Sequence, residues 1–185
     1  LNQIEQDKKE LFIGIDPGKS GAITGIYCIN GKTKEIIVRK CGKNIKEMNK
    51  NLKLILSMKD SNSNIYCNLE LVHAFPKQGV VSTFSFGQNY GQWQGILEAN
   101  RVNFDLISPQ KWIRYYNVPK LEKKNRKQFL YNLAGEMFPQ FKITYAICDA
   151  LLIAEYCKKT KGKHGRQNKY IKGKNAKQKR KFSRV

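Results

Sequence analysis

Acidic residues are scarce in this chain. Fourteen Asp and Glu stand against thirty-five Lys and Arg, a formal charge of +21 over 185 residues. Solubility alone asks for far less, so the balance points to a polyanionic partner. Paired cysteines are missing too. Cys28, Cys41, Cys67, Cys148 and Cys157 form no CxxC pair and leave an odd count, which argues against a disulfide framework and a zinc knuckle and predicts reduced, mostly buried thiols. No apolar run reaches the roughly 18 to 20 residues of a membrane span. The opening LNQIEQDKKE is polar rather than signal-like, and no internal repeat occurs. A soluble, intracellular protein with no membrane partner is expected, in a cytoplasm, a nucleoid or an organelle matrix.

What is present is unevenly placed. Residues 158–185 carry thirteen Lys and Arg and no acid, which leaves +8 for residues 1–157. The tail has almost no apolar content, cannot build a core and is expected to be disordered without nucleic acid. Sequence-independent phosphate binding suits it, and a solubilising or targeting role is the alternative. The organisation that follows is a short extension (1–10), one domain (11–157) and the basic tail (158–185).

Within the domain, LFIGID (11–16) reads as a strand, PGKSG as a turn, and residues 22–29 as a second strand. Asn30-Gly31 is a hairpin dipeptide, and EIIVR (35–39) supplies a third strand. Ile45, Met48, Leu52, Ile55 and Leu56 recur at helical spacing. In IYCNLELV the apolar residues alternate with Tyr66, Asn68 and Glu70, so Glu70 sits near a strand end. Further helices are expected at about 85–99, from Pro109 behind the cap Ser108, at 121–137 and at 146–158, with a short strand at 104–108. This order suits an α/β fold, a mixed sheet flanked by helices.

Three acids lie beside apolar elements: Asp16 at a strand end, Glu70 at another, and Asp149 in the first turn of an apolar helix. Such acids cost stability unless paired or bound to a cation. Brought together, they would offer hard oxygen ligands to Mg²⁺ or Mn²⁺. Each also has a plainer explanation: Asp16 as a turn residue before Pro-Gly, Glu70 as a solvent-facing side chain, Asp149 as a helix-capping acid.

Three segments carry a family resemblance. IGIDPGKSGA (13–22) is similar to the opening strand of RuvC-type Holliday junction resolvases. LELVHAFPKQGVVSTFSFGQNYGQWQGIL (69–97) resembles the phage and organellar branch of that family. CDALLIAEY (148–156) looks like its final helix. The resemblance implies a ribonuclease H-like five-stranded mixed sheet and a homodimer that resolves four-way DNA junctions by symmetric nicking. It makes Asp16, Glu70 and Asp149 catalytic ligands for two Mg²⁺ or Mn²⁺ ions per site.

One position departs from the pattern. The family carries an acid three or four residues before Asp149, where this chain has Tyr145 and Ala146. On a helix, Ala146 and Asp149 would share a face. We read Ala146 as a replaced catalytic acid, of the kind introduced to trap an uncleaved complex, with a natural variant as the alternative. An alanine codon at this position in the native gene would refute the replacement.

For DNA contact the resemblance points to Lys111 and to Lys123, Lys124, Arg126 and Lys127 of the run LEKKNRKQF as groups that hold the scissile strand by its phosphates. It also points to His73 and Phe75 as groups stacking at the junction, and Lys77 and Gln78 lie in a turn expected to read junction shape or strand sequence. A solvated helix face is the plainer reading of the lysines. His73 is alternatively structural or a base near the attacking water. The stretch 86–97 resembles the family's dimer helix, although Phe84, Phe86, Tyr90, Trp93, Ile96 and Leu97 also have core-like spacing. Two other readings remain open: a non-catalytic branched-DNA binding protein, and a ribonuclease H-like nuclease for flaps or RNA–DNA hybrids.

Overall fold

The computed structural model describes residues 6–73 and 79–162. Its elements run β1 (Lys9–Asp16), β2 (Ala22–Ile29), β3 (Lys32–Lys40), α1 (Ile45–Leu56), β4 (Asn64–Glu70), α2 (Val80–Ala99), β5 (Asp105–Ile107), α3 (Pro109–Tyr115), α4 (Lys123–Met137) and α5 (Cys148–Lys161). The expected hairpin is present: Asn30 and Gly31 both have positive φ, 51° and 75°, the pair of angles that a two-residue turn between twisted strands demands.

The five strands form one sheet in the order β3-β2-β1-β4-β5. β1 is antiparallel to β2, and β2 to β3, whereas β1 and β4, and β4 and β5, run parallel. Each parallel crossover passes through a helix, α1 and then α2, as parallel pairs require. Central strands covered on both faces bury both sides, and Cys67, Asn68 and Leu69 of β4 are all buried. The polar-outward alternation expected for β4 therefore gives way to two-sided burial, and Tyr66 stacks on Phe12 at 5.4 Å between ring centroids.

Two apolar clusters sandwich the sheet. On one side Leu11, Ile13, Ile15 and Leu69 meet Met48, Leu52 and Ile55 of α1 and Trp93 and Leu97 of α2. On the other, Phe12 and Ile26 meet Leu151, Leu152 and Ile153 of α5, with Trp112, Leu130 and Ala134 behind them. Helix α5 is pressed so closely onto β1 that Gly14 cannot carry a side chain: a Cβ there would overlap the backbone nitrogen of Ala154 and lie 2.6 Å from the Ala150 carbonyl oxygen. That close approach sets the depth at which Asp149 enters the sheet edge.

Several boundaries differ from the sequence reading; β3, for one, starts at Lys32 rather than Glu35. Helix α2 starts at Val80, five residues early, because the run VVSTF has β-like propensity and tertiary context overrides it. Helix α5 starts at Cys148 and runs to Lys161, past the composition change at 157. Ala146 therefore lies in the turn before α5, where Thr144 accepts backbone bonds from Ile147 and Cys148, both at 3.1 Å, and not on a helical face with Asp149. Strand β1 begins at Lys9, and the buried Glu10 has Lys8 Nζ 2.8 Å from its carboxylate. All five cysteines are free and buried, as expected. Among the described residues no helix is long and apolar enough to cross a membrane.

Candidate active site

The site follows from strand register. β1 and β4 pair with Ile15 opposite Leu69, so the next residues, Asp16 and Glu70, end neighbouring parallel strands side by side. Ile15 and Leu69 point into the α1/α2 cluster, and because side chains alternate, Asp16 and Glu70 share the opposite face, toward α5. The first turn of α5 brings Asp149 to the same edge. In sheets of this kind the carboxyl ends of parallel strands are where ligands bind.

Each acid is held by its own surroundings. Trp112 Nε1 donates to Glu70 Oε1 at 2.8 Å, and the Cys148 thiol donates to Asp149 Oδ1 at 3.2 Å. The loop after Asp16 is fixed from beneath: the buried Asn89 accepts from Gly18 N–H at 2.8 Å, and Cys41 Sγ donates to the Asp16 carbonyl at 3.4 Å. Gly18 has φ 126°, a left-handed conformation that favours glycine.

The three carboxyl groups resist ionisation together. Burial, then the charges of Glu70 and Asp149, push Asp16 well above the usual aspartate range, while Lys127 opposes the shift. Burial raises Glu70 to about 7 against the restraint of the Trp112 bond, with Asp149 adding to the rise. Asp149 is raised by burial and restrained by Cys148, Lys127 and Arg126. Desolvation thus raises all three, and the charge of a neighbouring carboxylate adds to the rise at Asp16 and Glu70. Even so, among the described residues no three His, Cys, Asp or Glu side chains close up enough to hold one metal ion by themselves. Glu70 and Asp149 are instead engaged by Trp112 and Cys148.

The other expected residues divide. Lys127 reaches the acids electrostatically and places its Nζ 5.0 Å from the Tyr145 ring centroid. Tyr145 in turn donates to Gln128 Oε1 at 2.6 Å. Lys111, Lys123 and Lys124 are exposed on α3 and α4, and His73 is exposed three residues beyond Glu70. Phe75, Lys77 and Gln78 lie outside the described residues, as does the tail from residue 163. Sequence reasoning missed Trp112 and Asn89 as supports of the site, since each binds its partner 42 or 71 residues away. Arg126, expected among the strand-holding cations, also lies near enough for its charge to act on Asp149.

The order β3-β2-β1-β4-β5, three antiparallel strands and two parallel ones between α1/α2 and α5, is that of a ribonuclease H-like α/β fold. No family model matches the chain, and no curated protein matches it. Among solved structures, the Thermus thermophilus RuvC structure matches with a TM-score of 0.50 and 15% identity, over 79% of this chain and 92% of that one. T. thermophilus RuvC in complex with Holliday junction substrate matches with a TM-score of 0.51 and 14% identity, over 79% and 91%. At such identity the likeness establishes the fold, and function has to be argued from the site.

Proposed function

We propose that this chain is a homodimeric, divalent-metal-dependent endonuclease that resolves four-way DNA junctions by paired symmetric nicks. One observation carries the proposal: Asp16 and Glu70, at the ends of two neighbouring parallel strands, and Asp149, in the first turn of α5, share one sheet edge, with Lys127 near enough for its charge to act on Asp16 and Asp149. A donor set of carboxylates kept half-buried against its own repulsion suits a hard divalent cation. The likeness to a RuvC complex with Holliday junction substrate supports the choice of DNA.

The three acids would hold Mg²⁺ or Mn²⁺, two ions per site, which supplies a Lewis acid for the phosphoryl oxygens and lowers the pKa of the attacking water. The chain's own groups do the rest. Trp112 and Cys148 orient Glu70 and Asp149, and Lys127 with Arg126 offers positive charge for the scissile phosphate. Exposed Lys111, Lys123 and Lys124 add backbone contacts that position the strand without reading it, and His73, Phe75, Lys77 and Gln78, next after Glu70 in the chain, are assigned to contact with the junction.

A second copy would dock on α2. Val80 and Phe84, 83% and 73% exposed, continue at helical spacing into Gly87 and Gly91, over which nothing lies within 4 Å. An apolar stripe that turns into small residues lets two helices approach closely about a two-fold axis.

A second reading, a non-catalytic branched-DNA binding protein, is favoured by Ala146, which offers no donor, and by the incomplete closing of the acids. Magnesium titration on a labelled four-way junction, a flap and an RNA–DNA hybrid, using this chain and its Ala146→Asp variant, decides between them. The variant is expected to nick the junction symmetrically at least roughly 100-fold faster than the parent, the scale of one lost electrostatic group in a reaction centre. Tight binding by both with no nick supports the binding protein. Preference for flap or hybrid supports a broader ribonuclease H-like nuclease.

A further inference from the structure

A groove separates α1 from α2 on the face of the sheet opposite the acids. Its upper part is a cleft of about 690 Å³ that begins at Lys19, in the turn three residues after Asp16, and continues over Lys43 and Lys46. A second hollow of about 450 Å³ shares Ile45, Lys46 and Gln92 with the first and extends it to Lys53. One wall is therefore cationic and the other is amide-rich, with Gln88 and Gln92 of α2 facing the lysines. Among the described residues no Asp or Glu lines either part.

We infer that this groove is a second nucleic-acid surface, one that takes the phosphodiester backbone of a DNA strand running on past the carboxylate site. The inference rests on the nuclease reading for the direction of the strand but on different residues for its affinity.

Spacing and charge argue for this occupant. Lys46 and Lys53 are seven residues, nearly two turns, apart and so share a helix face, with a rise between them of about 10 Å. B-DNA places one phosphate per roughly 3.4 Å of axis on each strand, so this wall spans about three. Lys8, Lys9, Lys158, Lys159 and Lys161 are all matched to acids. Among the described residues none of Lys19, Lys43, Lys46 and Lys53 is in an ion pair, so their charge is open to an outside anion.

The near end of the groove is fixed to the site. Asn89 lines the cleft, is buried, and holds Gly18 of the turn that carries both Asp16 and Lys19. Three residues of chain reach at most about 10 Å, so a strand at the acids passes Lys19 on its way into the groove.

A second copy fits this groove poorly. Two-fold packing would lay Lys46 and Lys53 against their own counterparts, and like charges brought together repel. The groove face of α2, at Gln88 and Gln92, is also turned by roughly 90° from the Val80-Phe84-Gly87-Gly91 stripe, at 100° per residue. The two surfaces can therefore be occupied at once.

The test compares the full chain with two variants of equal charge. The groove variant is Lys43→Gln, Lys46→Gln and Lys53→Gln. The control is Lys32→Gln, Lys34→Gln and Lys142→Gln, exposed on β3 and before α5. Affinity for a labelled four-way junction is measured across a salt series, with sedimentation velocity for the oligomeric state and junction nicking at saturating DNA in the Ala146→Asp background.

The groove variant is expected to lose about 0.9 of the log–log salt slope per lysine engaged, roughly 2 to 3 in all. Its low-salt affinity should fall roughly 10- to 100-fold, while the control's slope moves by less than one. Equal slopes for groove and control variants overturn the inference. So does a groove variant that becomes monomeric with its slope intact, because the occupant is then a second copy. A groove-specific loss of slope in a chain that never nicks leaves the inference standing and removes the nuclease reading. Normal nicking with equal slopes does the reverse.

Discussion

The carboxylate site and the lysine groove are the molecule's two charged regions of interest, joined by the single turn between Asp16 and Lys19. They differ in burial as well as in sign. The acids are half-buried and shifted by desolvation, Asp16 and Glu70 also by the charge of a neighbouring carboxylate, and Trp112 and Cys148 engage Glu70 and Asp149. The lysines are exposed and unmatched. Charge removed from water becomes expensive and directional, suited to holding a cation and reacting. Charge left in water is inexpensive, screened and additive, suited to affinity without sequence information. Mutations at the first region should therefore act on rate and stability, and mutations at the second on salt-dependent binding.

The sharpest way to break this contrast is at the site. In the Ala146→Asp background, Asp16→Asn keeps the shape of the side chain and removes its charge. Junction nicking is expected to fall by roughly 10³-fold, the upper range for loss of one preorganised charged group, with junction affinity unchanged or raised. A variant that binds worse but nicks normally when saturated would place Asp16 among the affinity groups and dissolve the distinction.

A second way uses pH without DNA. Glu70 ionises near 4.5 when unfolded and near 7 when folded. Below about 4.5 the carboxyl group is protonated in both states and adds no pH dependence. As pH rises toward 7 the unfolded chain releases its proton first, so the native state loses stability, by at most about 3 kcal/mol from this group. Asp16 and Asp149 are shifted in the same direction. Chemical denaturation in EDTA should therefore show stability falling from pH 4.5 to 7. Glu70→Gln should flatten the part due to Glu70, and Mg²⁺ should offset the loss increasingly as pH rises. A flat profile for both proteins would mean that the acids are well solvated, like the groove lysines.

Much of this was legible in the sequence because it is periodic or local. The Asn30-Gly31 turn, the amphipathic spacing of α1 and the strand-end acids all follow from neighbours in the chain. The burial of both faces of β4 was not legible, because alternation cannot report a central parallel strand covered by helices on each side. The early start of α2 was hidden by β-branched residues, and Ala146 was assigned to a helix that begins two residues later. Gly14 reads as an ordinary strand glycine until α5 is laid across it. The lysines of the groove were dispersed among thirty-five basic residues, and only the packing of α1 beside α2 aligned them.

The smallest expected effect concerns how the buried region is tuned. Trp112 Nε1 gives Glu70 a hydrogen bond that favours the carboxylate. Trp112→Phe removes the donor and keeps an aromatic ring in the α3/α5 cluster. Without the bond, Glu70 holds its proton to still higher pH and loses a fixed orientation. In the Ala146→Asp background at neutral pH, nicking should fall roughly 10-fold, the lower end of what supports of metal-binding ligands contribute, and the rising limb of the pH–rate profile should move to higher pH. A purely structural role would lower the amount of folded enzyme and leave that limb in place. The shift in the limb, measured against an unshifted salt slope, is what would separate a positioning residue in the buried region from a binding residue in the exposed one.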